Sequence, residues 1–268
     1  MNRLFLILPL LLLGEPASGE KPVAPKRIMS LNLCADQLLL ALADRSQVVA
    51  LTPLARDVAM SAEAVKARSW PIAKGGAETL LALRPDLVIS SPYYQIPPQA
   101  KGSFRQLSLS DANSYPQIVA QVRQVAAAVG HPERGEALVA RMNAELAAIP
   151  KPTRQRIAAY YQRRGYMTGT GTLVDDMMQR VGLRNLAGVL GKPVLSRLTL
   201  EEMVVAKPDY LIVESATDTV PDKGTEMLHH PALKAMARLR LPESWTVCGS
   251  PAYVRATQSL AAQLRPRP

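Results

Sequence analysis

Aromatic side chains and cysteines are scarce in this chain of 268 residues, which has 4% aromatic residues and two cysteines. Two cysteines allow at most one intramolecular disulfide, so a scaffold held by many disulfides is excluded. The three histidines, His131, His229 and His230, form no cluster with Asp or Cys at the spacing of a transition-metal site. The sequence therefore disfavours direct capture of zinc or manganese, and we expect no resident metal or other cofactor.

Motifs of common α/β enzymes are missing as well. The chain has no Gly-x-Ser-x-Gly elbow and no phosphate-binding loop. Gly169-Thr170-Gly171 precedes a helical pattern, but Val174 occupies the third glycine position of a dinucleotide-binding fingerprint. We therefore predict that the protein is not an enzyme. A secreted α/β enzyme remains an alternative class, against which ligand binding without turnover would argue.

A hydrophobic run long enough to cross a membrane is absent from the N-terminus. Leu4 to Leu13 is an apolar run of ten residues, whereas a membrane span needs about 20. Arg3 precedes the run and Pro16-Ala17-Ser18-Gly19 follows it, which is typical of a cleaved secretory signal peptide over residues 1–19. No cysteine lies next to the run for lipid attachment. We predict a soluble periplasmic protein whose mature chain is long enough for two lobes.

The charge is strongly positive, at +10, but it is spread along the chain. The longest cluster of basic residues is Arg163-Arg164, so a nucleic-acid partner is not expected. An anionic small ligand, an anionic membrane surface or a merely solubilising surface would each explain the charge. Cys34 and Cys248 are far apart in sequence, and either a disulfide or two free buried thiols would suit an exported protein.

Short apolar runs alternate with amphipathic stretches, which is the pattern of a layered α/β fold. The pattern predicts strands at residues 27–31, 48–51, 87–90, 104–109, 157–161, 210–213 and 246–248. It predicts helices at residues 35–43, 78–83, 173–181, 201–206 and 253–264.

Between these two series the chain has a long helical pattern from Tyr115 to Ile149, interrupted at Gly130-His131-Pro132. The second piece, from Glu133 to Ile149, has apolar residues at helical spacing and ends at Pro150. It is long enough to join two lobes as a stiff helix. We predict an N-terminal lobe over residues 25–130, an inter-lobe helix over residues 131–150 and a C-terminal lobe over residues 151–268.

The two halves contain a repeated unit. Residues 78–89, ETLLALRPDLVI, correspond to residues 201–212, EEMVVAKPDYLI. In each, a short helix begins at a glutamate and ends at a basic residue. Pro-Asp prevents the helix from continuing, and an apolar strand follows. Thr199 and Glu202 form a predicted capping box, so Glu201 has no such structural task. A favourable charge at the start of a helix is its alternative explanation.

These features resemble those of the periplasmic binding proteins for iron-siderophores and cobalamin, over essentially the whole mature chain. The segments that carry the resemblance are residues 27–37, the two Glu…Pro-Asp units, residues 171–176 with 182 and 185–187, and residues 230–233. The resemblance implies two three-layer α/β lobes joined by a single long rigid helix. It also implies a monomer that captures an iron chelate, as a ferric siderophore, or cobalamin, with haem as the alternative.

In that family one surface glutamate of each lobe docks on arginines of an ABC transporter permease dimer in the inner membrane, and the residues at those positions here are Glu78 and Glu201. The ligand lies between the lobes, on loops at the carboxyl ends of strands. This chain departs from the family's pattern at two places. Asp36-Gln37 replaces the usual Thr-Glu pair, and Leu195 stands where cobalamin binders tend to carry an aromatic residue. The second departure disfavours cobalamin.

The loops at the carboxyl ends of the predicted strands supply the expected ligand contacts. Tyrosine offers an apolar face and a hydroxyl group, and arginine binds anionic groups with two hydrogen bonds. Ordinary packing of the tyrosines and a solvated state of the arginines are the alternatives for each of these residues. The expected ligand-binding residues are Asn32, Leu33, Cys34, Tyr93, Tyr94, Tyr166, Arg197, Tyr253 and Arg255.

Overall fold

The computed structural model describes residues 23–150, 154–218 and 222–264. The predicted signal peptide lies outside these residues. The strands are β1 (Ile28–Ser30), β2 (Val48–Ala50), β3 (Leu87–Ser90), β4 (Arg105–Ser108), β5 (Arg156–Tyr160), β6 (Tyr166–Thr168), β7 (Leu183–Asn185), β8 (Leu195–Arg197), β9 (Tyr210–Glu214) and β10 (Ala237–Leu241). The helices are α1 (Leu33–Leu42), α2 (Ala64–Ala67), α3 (Ala77–Leu83), α4 (Tyr115–Val129), α5 (Pro132–Ala147), α6 (Leu173–Arg180), α7 (Leu186–Val189), α8 (Leu200–Ala206) and α9 (Ala252–Gln263). No helix in these ranges has the length and hydrophobicity needed to cross a membrane.

Each half of the chain builds one four-stranded parallel sheet. The N-terminal sheet has the order β2-β1-β3-β4, and the C-terminal sheet has the order β7-β5-β9-β10. In the N-terminal sheet β1 lies between β2 and β3, and in the C-terminal sheet β5 lies between β7 and β9. The strands β3 and β9 are the ones that follow Pro-Asp. The predicted α/β class is therefore confirmed, with a lobe of the same topology in each half. A separate antiparallel ribbon, β6 with β8, belongs to the C-terminal half.

The repeated unit is also repeated in its contacts. Arg84 and Lys207, the residues that close α3 and α8, adopt left-handed backbone angles with φ of 41° and 44°. The carboxylate of Asp86 then accepts hydrogen bonds from the backbone N–H groups of residues 26 and 27, just before β1. Asp209 accepts one from the N–H of Ile157 in β5 at 2.7 Å. In both lobes the Pro-Asp aspartate thus ties the start of one strand to the start of its neighbour.

Helices α4 and α5 pack side by side and connect the two lobes. A Cβ atom on Gly135 would lie 2.5 Å from Cβ of Ala126, so glycine permits the close approach of these helices. At the start of α4, the N–H of Tyr115 donates to Asp176 of α6, and at its end Val129 O accepts from Gln47 in the N-terminal half. The predicted helix from Glu133 to Ile149 is present as α5, and α4 runs beside it as a second connection.

The apolar core continues through both lobes. One cluster of buried residues includes Ile28 and Leu87 from the N-terminal sheet and Ala158 and Ile212 from the C-terminal sheet. It is joined by the inner faces of α1, α4, α5, α6 and α9. Smaller clusters cover the opposite face of each sheet, which gives each lobe three layers. Because one core crosses the boundary, the connection between the lobes is packed rather than flexible.

The predicted last strand at residues 246–248 is wrong. These residues form a turn before α9, and the last strand is β10, in which Arg238 and Arg240 alternate with apolar residues. The chain leaves the sheet after β10, and Thr246 to Gly249 then cross to the N-terminal lobe. The short strands β6, β7 and β8 and the one-turn helices α2 and α7 were not predicted from the sequence.

Candidate functional site

A groove lies between the lobes, at the edge where the strands of both sheets end. Its largest part is a cavity of about 500 Å³ in the C-terminal lobe. This cavity is lined by Gln162, Arg163, Tyr166, Leu195, Glu214, Ala216, Thr217, Thr225 and Glu243. Most of them follow the carboxyl ends of β5 and β9, which is where ligands bind in open α/β sheets.

Two smaller cavities extend this groove to the N-terminal lobe. One of about 240 Å³ shares Gln162, Glu214 and Glu243 with the large cavity. The other, of about 220 Å³, shares Thr246 and Val247 with the second and reaches the N-terminal lobe. Its residues from that lobe include Asn32 and Cys34 at the start of α1. The three cavities therefore form one groove with walls from both lobes.

The floor of the large cavity is an acidic, hydrogen-bonded surface. Glu214 is buried, and its Oε1 accepts from Nε2 of Gln162 at 3.1 Å and from the Tyr160 hydroxyl at 3.4 Å. Burial and then the nearby Glu214 carboxylate raise the pKa of Glu243. Burial is also the main cause that raises the pKa of Tyr160, so its hydroxyl remains protonated. This floor offers carboxylate oxygens to hydrogen-bond donors on a ligand.

Sequence reasoning missed this floor. Glu214 directly follows the apolar residues of β9, and a charged residue that ends a buried strand is the signal that could have indicated it. Gln162 follows β5 in the same way. Glu243 lies far along the chain from both, and only the fold brings it to the cavity.

Tyr166 lines the large cavity and lies next to Arg197. They are paired across the β6–β8 ribbon, and the Arg197 guanidinium lies 5.6 Å from the centre of the Tyr166 ring. Arg197 also donates to the carbonyl O of Arg164 at 3.3 and 3.2 Å, which fixes its orientation. Tyr166 is 39% exposed and lines the cavity. The structure thus brings these two predicted residues together beside the cavity.

Tyr93 and Tyr94 follow β3 on the N-terminal lobe. Tyr93 is 84% exposed, and its hydroxyl makes no hydrogen bond within the described part of the chain. Tyr94 is half-buried beside Gly75, where an added Cβ would lie 3.5 Å from the Tyr94 hydroxyl. Neither tyrosine lines the three cavities described above. They follow the carboxyl end of β3 in the N-terminal sheet, and Tyr93 is open to solvent.

The predicted residues at the start of α1 divide between groove and core. Asn32 caps α1, since its Oδ1 accepts from the N–H of Cys34 at 2.7 Å and of Ala35 at 3.1 Å. Leu33 is buried in the core, and we leave it out of the proposed ligand site. Cys34 forms a disulfide with Cys248 of the other half, with a Cα–Cα distance of 5.2 Å. The open question of a disulfide or two thiols is therefore answered by the fold.

Neither of the two predicted residues on α9 lines the large cavity. Tyr253 is fully buried, its hydroxyl donates to Oδ1 of Asp176, and it accepts from Nε of Arg180 at 3.0 Å. Its ring stacks on Tyr115 at 5.3 Å. We correct the expectation for Tyr253, because its ring and hydroxyl are both occupied inside the protein. Arg255 pairs with Glu63 of the N-terminal lobe at 2.6 Å and lies over Trp245.

Glu78 and Glu201 both lie at the groove edge of their sheets, at the starts of α3 and α8. Both are exposed, and in the described ranges neither carboxylate has a hydrogen-bond or ion-pair partner. Glu202 instead forms the predicted capping box with Thr199 and pairs with Lys192 at 2.9 Å. One turn after Glu201, Val205 is 82% exposed. Each lobe thus presents one unpaired glutamate on the same edge.

Most of the chain matches one known protein family. A family model described as periplasmic binding protein matches residues 28–239. The chain belongs to the periplasmic binding protein family. The resemblance found in the sequence is therefore confirmed, and the family consists of binding proteins. No curated protein matches the chain.

Solved structures of this family share the fold. The periplasmic heme-binding protein RhuT from Roseiflexus sp. RS-1, in apo form, is 25% identical, with a TM-score of 0.66 over 90% of this chain and 99% of that chain. The heme-binding protein HutB of Vibrio cholerae is 18% identical, with a TM-score of 0.71 and the same coverage of both chains. An Fe3+-hydroxamate transport system structure from Saccharomonospora viridis DSM 43017 is 19% identical, with a TM-score of 0.65 over 91% of this chain and 94% of that chain.

Proposed function

We propose that this protein is the periplasmic substrate-binding component of an ABC importer, exported by its signal peptide, and that it captures an iron chelate without chemical turnover. The observation that carries the proposal is the groove at the carboxyl edges of both sheets, walled by both lobes. The similar solved structures bind haem or belong to Fe3+-hydroxamate transport, which supports an iron chelate as the ligand class. The ligand is delivered to a permease dimer in the inner membrane.

Two iron chelates suit different residues in and around this groove. Haem is favoured by the exposed Tyr93 and Tyr166, because a tyrosine oxygen can bind haem iron and an aromatic ring can pack on a porphyrin. A ferric hydroxamate is favoured by the acidic floor of Glu214 and Glu243, which would repel carboxylate groups and attract donors. Tyr93 and Tyr166 belong to different lobes, whereas Glu214 and Glu243 both belong to the C-terminal lobe. Variants of the tyrosines and variants of the glutamates should therefore affect the binding of different ligands.

The ligand is identified by titration of the purified protein with hemin, ferrichrome and cyanocobalamin. Trp245 lies beside the groove residues Thr246 and Val247, so its fluorescence should be quenched by a bound iron chelate, and W245F should lose this signal without losing affinity. Bound hemin would also shift the haem absorption band. A protein that binds none of the three ligands would contradict the proposed function.

Variants of the tyrosines and glutamates then assign the ligand contacts. If hemin binds through a tyrosine oxygen, Y93F or Y166F should change the haem spectrum and weaken binding, while E214Q should not weaken it. If ferrichrome binds on the acidic floor, E214Q should weaken binding by about 1–3 kcal/mol because a buried acceptor is lost. Y94F is the matched control, since Tyr94 is half-buried on the same loop as Tyr93.

Glu78 and Glu201 are proposed as the residues that dock on the permease. Exposed carboxylates at equivalent places in two lobes suit a partner with two equivalent basic sites, and complementary charge fixes orientation. Each exposed pair contributes only about 0.2–1 kcal/mol, so both should be reversed together. E78R/E201R should keep folding and ligand affinity and lose uptake in cells and stimulation of the transporter ATPase.

The matched control is E133R/E145R, which changes the net charge equally on α5. That variant should support uptake like the unchanged protein. Loss of ligand affinity in E78R/E201R, with normal transport at saturating ligand, would show that these glutamates belong to the groove rather than to a docking surface.

A further inference from the structure

The segment of residues 246–255, here called the return segment, leaves the C-terminal sheet and bonds to the N-terminal lobe through Cys248, Ser250 and Arg255. Cys248 is bonded to Cys34 of α1. The Ser250 hydroxyl donates to Oε1 of Gln37 at 2.9 Å, one turn further along α1. Arg255 Nη2 donates to Oε1 of Glu63 at 2.6 Å. A covalent bond, a hydrogen bond and an ion pair thus join the same two parts of the molecule.

These contacts are built into the packing. Cys248, Ser250 and Gln37 are each at most 2% exposed. A Cβ on Gly249 would overlap the carbonyl oxygen of Ala112, so glycine is needed for the return segment to pass this close to the chain. Water is therefore excluded from Cys248 and from the Ser250–Gln37 hydrogen bond, which holds its geometry better than an exposed contact would, while Cys34 is half-buried at the cavity wall.

The same segment forms one end of the groove. Thr246, Val247 and Gly249 line the cavity that reaches the N-terminal lobe, opposite Asn32 and Cys34. The disulfide therefore joins one wall of this cavity directly to the other. The separation of 5.2 Å between the Cα atoms of Cys34 and Cys248 limits how far these walls can move apart.

We propose that the return segment sets the width of the groove, with the Cys34–Cys248 disulfide as the main positioning element and the Ser250–Gln37 and Arg255–Glu63 pairs as supports. The inference rests on the proposed function, since it assigns these residues to ligand retention. A groove held at its binding width loses less freedom when the ligand binds. Without the disulfide, the lobes spend part of their time too far apart or wrongly turned, and only the remaining fraction binds.

The test compares C34S/C248S, C34S, C248S and S250A with the unchanged protein. Solution scattering and amide hydrogen exchange at the start of α1 report the lobe arrangement, and titration with hemin and ferrichrome reports affinity. C34S/C248S should give faster exchange and a broader distribution of sizes. Its affinity should fall about ten-fold if the groove is competent a tenth of the time. S250A should show a smaller loss of affinity.

The single variants separate the tether from direct ligand contact. Both break the same bond, but Cys34 lines the cavity and Cys248 is 2% exposed. Equal effects of C34S and C248S support the tether, whereas a loss confined to C34S would make Cys34 a ligand contact and overturn the proposal. Each single variant is measured as a confirmed monomer, because it carries one free thiol.

If C34S/C248S does not fold, the folded protein is reduced with dithiothreitol, which forms its own cyclic disulfide as the two protein thiols are released. Unchanged scattering, hydrogen exchange and affinity in the folded, disulfide-free protein would refute the proposal. If the unchanged protein binds no iron chelate, the proposed function fails, while scattering and exchange still decide whether the disulfide holds the lobes.

Discussion

Replacing Tyr253 by Phe tests whether this residue stabilises the fold or contacts the ligand. The change removes one hydroxyl and keeps the ring, so the stack on Tyr115 at 5.3 Å should remain. The lost groups are a hydrogen bond donated to Asp176 and one accepted from Arg180 at 3.0 Å. Both partners are charged, and each keeps other neighbours, since Tyr115 N–H donates to Asp176 and Arg180 lies over the Tyr115 ring.

The expected loss of unfolding free energy is about 2 kcal/mol. Hydrogen bonds to charged groups are worth about 1.5–3 kcal/mol each, and the remaining contacts of Asp176 and Arg180 reduce the sum of two. For a protein of this size, about 1 kcal/mol lowers Tm by about 2–4 °C, so Y253F should melt about 4–8 °C lower. One transition is expected, because the apolar core continues through both lobes.

Urea unfolding followed by circular dichroism measures the difference, with an unchanged m-value as the sign that only stability has changed. Y93F is the control, since Tyr93 is 84% exposed and its hydroxyl should contribute nothing to stability. Ligand affinity of Y253F should stay within experimental error. A variant with normal stability and weakened ligand binding would refute the reasoning and return Tyr253 to the ligand site.

Three further predictions concern pH, rigidity and the repeated unit. Burial raises the pKa of Asp36 from 3.8 to about 6. Between these pH values the folded protein keeps a proton that the unfolded chain releases. The unfolding free energy should therefore fall by up to about 3 kcal/mol as pH rises from about 4 to 6. Urea unfolding of D36N should lack this loss, and an equal pH dependence in both proteins would contradict the assignment. Solution scattering should show little change in radius of gyration on ligand binding, because α4, α5 and the return segment all join the lobes; a large decrease would contradict this. D209A should lower the unfolding free energy by about 0.5–1.5 kcal/mol, because an exposed hydrogen bond from the N–H of Ile157 is exchanged for one to water, and an unaffected urea midpoint would show that the bond is not needed.

Much of the fold follows from local patterns in the sequence. The Glu…Pro-Asp units predicted α3, α8 and the strands that follow them, because the caps, the proline and the apolar run act on neighbouring residues. The interruption at Gly130 was also predicted from a local signal, because glycine commonly ends a helix. In the structure Gly130 has φ of 89° and ends α4. The α/β class and the position of the groove follow from the order of these units, because parallel strands end at one edge.

The groove itself was decided by contacts between distant residues. Cys34 and Cys248 are 214 residues apart, and only the crossing of the return segment brings them together. That crossing also explains why residues 246–248 are not the last strand, although their composition suits one. The orientation of Tyr253 depends on the rotation of α9 against α6, and the proximity of Glu243 to Glu214 depends on the path of the chain after β10. Periodicity and caps are properties of neighbouring residues, whereas these pairings depend on how two separately formed sheets and their helices pack together.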